Sequence, residues 1–303
     1  MLEKINNPRV AAEVTDVDIA EDVHLHVKSL EHKEVDGPTL LLIHGGGAGA
    51  NHTIVERPAR WLVDQRVYGR VILSDRRGNG ASSPLTEIPT FRDHARDMAD
   101  LLDTLGETGP LDVMGISYGR PIALTLADMD DRVKRVILFA SSPAMHFTWP
   151  WNWLIRSGLV PWVMKFMYRR EIGKAEPRYP DLDIAYEKSS QREDWEAYKK
   201  ALNHTPADRL DSIMYEFKAN QLPEYTRIDD RVRVEKPVLR VIGSEDQTWG
   251  SGWPEEYQAR FPNFKQVIVP GADHKDAVRE ADRFLETLVP LLEQERSAGG
   301  EGV

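Results

Sequence analysis

Short, largely apolar runs at 39–43, 71–73, 111–116, 133–139, 238–242 and 266–269 alternate with stretches of helical spacing. Runs of this length suit strands covered on both faces, and their alternation with helices predicts a doubly wound, mostly parallel α/β sheet. The helical stretches carry apolar residues three or four apart: Ala95, Met98, Leu102 and Leu105, closed by Gly106; Ile122, Ala123, Leu126 and Ala127 just after Ser117; and Phe284, Leu285, Leu288 and Leu292 within 277–292. Pro290 should bend the last of these or break it. Ahead of the first run, Val23-His-Leu-His-Val27 alternates with period two, so the N-terminal region reads as an antiparallel edge hairpin.

The strand-helix rhythm stops between 144 and 233, where Trp149, Trp151, Trp153 and Trp162 are followed by Tyr168, Tyr179, Tyr186, Trp195 and Tyr198. A stretch this long is not a loop. Helical spacing at Trp195, Tyr198, Ala201 and Leu202, and again at Leu210, Ile213, Met214 and Phe217, predicts a helical cap inserted into the sheet. The expected division is 1–143 for the first part of the core, 144–233 for the cap and 234–303 for the rest of the core, with a short flexible tail from Ser297.

Composition narrows the chemistry. With 39 Lys+Arg against 49 Asp+Glu the formal charge is −10, and no clustered basic face stands out, so nucleic acid is not an expected partner. The chain has no cysteine, which removes disulfides, thiolate nucleophiles and Cys-ligated metals and leaves oxygen and nitrogen groups to act. No apolar run approaches a membrane span and no apolar leader opens the sequence, so the expectation is a cytoplasmic protein without a membrane partner. A small-molecule substrate is the expected partner, and a homodimer is compatible with the sequence.

Gly115-Ile-Ser-Tyr-Gly119 is a G-x-S-x-G that ends one apolar run and heads a helix. A serine on such a turn is thrust out of the sheet, with the helix N-terminus favouring developing negative charge. Ser117 is therefore the expected nucleophile, the plain alternative being a helix-capping serine. The earlier strand ends in His44-Gly-Gly-Gly47, whose free N–H groups can form half of an oxyanion hole. Gly46 is the chosen donor there and Tyr118 N–H the other. His44 reads as a positioner of the loop rather than a base. A hydroxyl needs a base and a group that orients it. Asp246 and His274 each lie just past a strand end, where α/β sheets build their sites. Glu245 rivals Asp246; His44, His52, His94, His146 and His204 rival His274, and most of these read as surface or cap histidines.

These motifs together resemble the α/β-hydrolase fold over about 40–140 and 237–292. The resemblance rests on the His-Gly-Gly-Gly strand end, the turn Ser74-Asp-Arg-Arg-Gly-Asn-Gly-Ala-Ser-Ser83, the elbow around Ser117, the Gly-x-x-Asp turn at Asp246 and the late His274, in that order. It implies Ser117 as nucleophile, His274 as base, Asp246 as orienting acid, and Gly46 with Tyr118 as oxyanion donors, without metal or organic cofactor. The 75–83 turn is expected to be structural, with Arg76 and Arg77 tying it down. Two positions depart from the family pattern: Arg120 follows the elbow, either reaching the site or pointing to solvent, and Asp273 precedes His274.

A serine at the elbow sets the chain apart from the aspartate-dependent dehalogenases and epoxide hydrolases of that superfamily. Hydrolysis of an ester or lactone through an acyl-enzyme is the expected reaction. The run His44-Gly-Gly-Gly-Ala-Gly-Ala50 also resembles the loop of meta-cleavage-product hydrolases, which cleave carbon–carbon bonds in acidic dienoates, although that loop carries a proline this chain lacks. Arg156, Lys165, Arg169 and Arg170 could pair with such acids or simply form a solvated helix face. Gly45, Trp149 and Trp153 are the expected substrate contacts, the tryptophans either lining an apolar pocket or packing the cap on the core; Trp249 and Trp253 extend the same surroundings. A lyase or a ligand receptor on the same scaffold is the rival class.

Overall fold

The computed structural model describes residues 9–46, 49–141, 153, 158–175, 199, 202–219, 232–246 and 258–299. Eight strands among these form one sheet in the order β1-β2-β4-β3-β5-β6-β7-β8. They are β1 (Val10–Ala20), β2 (Val23–His32), β3 (Thr39–Ile43), β4 (Arg70–Ser74), β5 (Leu111–Ile116), β6 (Val133–Phe139), β7 (Val238–Gly243) and β8 (Phe264–Val269). β1 and β2 are the expected hairpin, and β2 joins β4 antiparallel with Val27 opposite Ser74; all later pairs are parallel.

The period-two geometry of a strand sends alternate residues of the central strands to two apolar layers. Leu41, Ile43 and Val113 face one layer, where α2 (Phe91–Thr104) and α3 (Gly119–Met129) supply Met98, Leu101, Leu102, Ile122 and Leu126. Leu40, Leu42 and Met114 face the other, where α1 (Glu56–Asp64) and the C-terminal helix supply Leu62, Val63, Phe284, Leu285 and Leu288. Helix α2 starts in a capping box: Thr90 Oγ1 accepts from Asp93 N–H at 3.0 Å, and Asp93 Oδ2 accepts from Thr90 N–H at 2.8 Å. It ends before Gly106, whose φ of +73° suits glycine. Between β6 and β7 lie α4 (Leu159–Arg169) and α5 (Leu210–Ala219), which meet through Tyr168, Leu202 and Met214. The helix expected around Trp195 and Tyr198 lies outside the described residues.

Three expectations need correction. β8 ends the sheet, and its middle is only partly covered: Gln266 and Val267 are half-buried and Ile268 is exposed, while Phe264 and Val269 are buried. The expected 277–292 helix is broken at Glu280 (φ −121°, ψ 40°), giving α6 (Asp276–Arg279) and α7 (Ala281–Ala298). Pro290 sits inside α7 on its exposed side, near Glu286, so the carbonyl that loses its helical partner faces water. The supposed flexible tail from Ser297 is helical through Ala298; 300–303 lie outside the described residues.

Under the N-terminal end of the sheet, buried Asp112 accepts from Tyr68 Oη at 2.8 Å and Arg135 Nε at 3.0 Å, with Arg296 of α7 at 3.5 Å. Burial and the Asp112 charge push the Tyr68 phenol well above its usual range, so it stays a donor. Asp112→Ala would remove the carboxylate that the Arg135 and Arg296 guanidinium groups share. It is expected to lower the unfolding free energy by about 3–5 kcal/mol in urea titration. A loss below about 1 kcal/mol would mean that water replaces the carboxylate.

Candidate active site

The chain runs from β3 to β4 on one side and then crosses back to β5 on the other. The crevice at the C-terminal ends of β3 and β5 is thus the point where strand order reverses, the usual place for a ligand in an open α/β sheet. The two glycine-bearing turns meet there.

Ser117 has φ +50°, a left-handed conformation unusual for a residue with a side chain. The glycines around it make the turn possible. A Cβ at Gly115 would run into the Gly119 carbonyl, and one at Gly119 into the Ile43 carbonyl. Ser117 is half-buried, and its hydroxyl has no hydrogen-bond partner among the described residues. Other buried serines are committed: Ser82 Oγ donates to Asp75 O at 2.6 Å, Ser141 Oγ to Phe139 O at 2.9 Å, and Ser212 Oγ accepts from Leu85 N–H at 2.8 Å.

Gly45 backs Ser117, since a Cβ there would stand 3.3 Å from Ser117 Cβ and 3.9 Å from its Oγ. Gly46 lies over Tyr118, where a Cβ would stand 3.0 Å from the tyrosine Cβ. Gly46 is exposed, and its N–H meets no acceptor among the described residues. His44 holds this loop from behind. Its Nε2 accepts from Arg76 N–H at 3.1 Å, which places the proton on Nδ1 for donation to the Gly45 carbonyl at 2.7 Å. Burial, then the Arg76 charge, lower the His44 pKa to about 3, so the ring is a weak proton acceptor, and its Nε2 lone pair is already taken by Arg76 N–H.

Asp246 and His274 follow β7 and β8. His274 Nδ1 lies 3.0 Å from Asp246 Oδ2, with the imidazole 23% exposed and the carboxylate fully buried. That is the only hydrogen bond of the ring among the described residues, which leaves Nε2 for a hydroxyl. Glu245 is exposed. Asp273 accepts from Lys275 N–H at 2.7 Å and Asp276 N–H at 3.0 Å, so it caps the α6 turn.

A match to the alpha/beta hydrolase fold family spans residues 38–279. The chain belongs to that family. Among solved α/β-hydrolase structures, a thermophilic esterase from Thermogutta terrifontis superposes with a TM-score of 0.66 at 20% identity, covering 93% of this chain and 98% of that one. A bromoperoxidase from Bacillus anthracis gives 0.65 at 20% identity over 93% of this chain and 100% of that one. The enol-lactonase from Burkholderia xenovorans gives 0.64 at 18% identity over 91% and 99%. At these identities the likeness speaks for the fold.

Within this α/β-hydrolase the rival histidines are disposed differently from the surface or cap positions expected of most of them. His52 and His94 are buried in the core, His204 is half-buried, and His146 lies outside the described residues. His52 Nδ1 is 2.8 Å from Asp75 Oδ1, and the same carboxylate accepts from Ala81 N–H at 2.9 Å, so this pair braces the 75–83 turn. Arg120 is buried and does not project to solvent. Arg77 Nε donates to Asp97 at 3.0 Å, and Arg76 pairs with Glu216, so both arginines tie the turn down as expected. Lys165 donates to Asp211 at 2.5 Å, and Arg169 and Arg170 are exposed, a solvated helix face. Trp153 is 62% exposed, with no hydrogen bond or ring contact to the other site residues among the described ones. Trp149, Arg156, Trp249 and Trp253 lie outside the described residues.

Glu216 and Asn79 were missed by sequence reasoning. Neither is marked by its spacing: Glu216 shares the buried side of α5 with Ser212, Met214 and Ala219, and Asn79 is one polar residue of a polar turn.

Proposed function

We propose that the protein is a serine hydrolase that cleaves an ester or lactone of an apolar or aromatic small molecule through an acyl-enzyme. The observation that carries the reading is the Ser117 hydroxyl on a strained strand-to-helix turn, beside the Gly46 N–H, both without a hydrogen-bond partner among the described residues, with an Asp246–His274 pair past strand ends on the same edge of the sheet. Each group has a role that its surroundings favour.

His274 Nε2 takes the Ser117 proton as Oγ adds to the carbonyl, and Asp246 keeps the ring in the needed tautomer and offsets its charge. The oxyanion forms against the N–H groups of Gly46 and Tyr118. His274 then gives its proton to the leaving alcohol. In the second half it takes a proton from water, the hydroxide adds to the acyl carbonyl, and His274 returns the proton to Ser117 Oγ as the product acid is released. Gly45 leaves room for the acyl group against the nucleophile, and the inserted segment 144–233 serves as the cap that supplies substrate contacts, Trp149 and Trp153 included. The enzyme acts on a small molecule, needs no metal or organic cofactor, and works in the cytoplasm; no described helix is long and apolar enough to cross a membrane.

The test is intact-mass labelling with a fluorophosphonate probe and peptide mapping of the adduct, alongside a panel of p-nitrophenyl esters and aryl lactones. One adduct per chain, on Ser117, with multiple turnovers on the panel is the expected result. Tight binding of panel compounds without turnover or adduct would move the reading to a receptor. Turnover without an adduct on Ser117 would overturn the acyl-enzyme, and the absence of binding, adduct and turnover alike would move the reading to a lyase.

A further inference from the structure

Arg76 is completely buried, yet it touches both turns that flank the crevice. Its NH2 donates to the Gly45 carbonyl at 3.1 Å, and its guanidinium lies over the Tyr118 ring, 4.5 Å from the centroid. NH1 pairs with Glu216, which also accepts from Asn79 Nδ2 at 2.8 Å. Glu216 belongs to α5, in the segment inserted between β6 and β7. The same helix fastens the 76–85 turn through Ser212 Oγ, the acceptor of Leu85 N–H.

A peptide unit is planar, and in the trans form its C=O and N–H point in opposite directions. The unit that presents the Gly45 carbonyl also presents the Gly46 N–H. Flanked by two glycines, it has no side chain to resist rotation. Two donors fix its carbonyl end, His44 Nδ1 at 2.7 Å and Arg76 NH2 at 3.1 Å. A buried guanidinium needs a counter-charge, and Glu216 supplies it from the inserted segment.

We infer that Arg76 and Glu216 are positioning residues that set the plane of the Gly45–Gly46 peptide and so aim the Gly46 N–H at the oxyanion, making the oxyanion site dependent on how the inserted helix α5 is seated. This rests on the serine-hydrolase reading above. The pair acts through the peptide and touches no reacting atom, so it changes the rate of the chemical step and leaves substrate affinity in place.

Glu216→Gln, Arg76→Lys and the double variant Arg76→Met/Glu216→Leu separate this role from a structural one. A lysine ammonium keeps the charge pair but cannot bridge Glu216 and the Gly45 carbonyl together. The double variant removes both buried charges, which usually preserves or improves stability. Losing an oxyanion donor typically costs a hundredfold or more, and misaiming it somewhat less. All three variants are expected to show kcat down about 10- to 100-fold, KM within about twofold of wild type, and phosphonylation slowed in parallel with kcat. A double variant that melts at or above the wild-type temperature with wild-type kcat would show the pair to be structural only and overturn the inference. Active wild type with active variants sinks this inference alone. Wild type that neither turns over nor takes the probe at Ser117 sinks the hydrolase reading, and this one with it.

Discussion

Ser117→Ala is expected to lower kcat/KM on an activated ester by on the order of 10⁵-fold with little change in melting temperature, and Ser117→Gly to be equally inactive but more heat-stable. The rate effect follows from the missing nucleophile: His274 and Asp246 have nothing left to activate, and only the oxyanion donors and binding remain. The stability effect follows from the backbone. At φ +50° a residue with a Cβ carries a strain of about 1 kcal/mol, which alanine keeps and glycine relieves. The looser unfolded chain of glycine offsets part of that gain. The two variants therefore separate nucleophile from scaffold: the same lost hydroxyl, two different melting temperatures. Residual turnover above about a hundredth of wild type in both would place the nucleophile elsewhere. Equal melting temperatures would mean that the turn is not strained.

Local pattern carried much of the fold because it reports local physics. Leu40 to Ile43 alternate between two apolar layers, and only a strand covered on both faces needs that many apolar residues in a row. Gly106 ends α2 for a reason written in one residue. Edge position is different. The run at 266–269 reads like the others, but β8 ends the sheet among the described residues, and its middle, Gln266 to Ile268, is half-buried or exposed. The break at Glu280 and the continuation through Pro290 also depend on where each carbonyl points, toward α1 and the sheet or toward water. In the site, glycine turns and strand ends were legible since each is a short motif. The support behind them was not. Arg76 and Glu216 are 140 residues apart in sequence, and nothing in the spacing of either marks a buried pair. His94 looks like one more polar residue on α2 until the Tyr118 ring is found against its edge, 6.3 Å between centroids.

That buried histidine leads to the second large effect, a marked loss of stability in mild acid. His94 has both ring nitrogens buried without a hydrogen-bond partner among the described residues. Burial, then the Arg76, Arg77 and His44 charges, depress its pKa well below the ordinary histidine value. His44 is lowered to about 3, chiefly by burial. Both rings stay neutral in the folded protein and take up a proton on unfolding. The unfolded state then binds more protons, so stability is full above pH 6.5 and falls as pH drops below it, by about 1.4 kcal/mol per unit for each ring. From pH 6.5 to 4.5 the two together remove about 5 kcal/mol. Asp97, whose carboxylate lies 4.0 Å from His94, works in the opposite sense. Burial pushes its pKa up to about 6 against the Arg77 charge, so it gains a proton in the folded state over the same interval and returns nearly 2 kcal/mol. The net expectation is a loss of about 3 kcal/mol over two pH units, read from urea titrations at pH 6.5 and 4.5. His94→Leu isolates one ring. It removes two unsatisfied buried nitrogens, which offsets the altered packing against Tyr118, and it should reduce the acid slope by about 1.4 kcal/mol per unit relative to wild type. Parallel slopes for wild type and His94→Leu would show that His94 titrates in the folded protein, with water or Asp97 reaching the ring, and the buried neutral histidine would have to be given up.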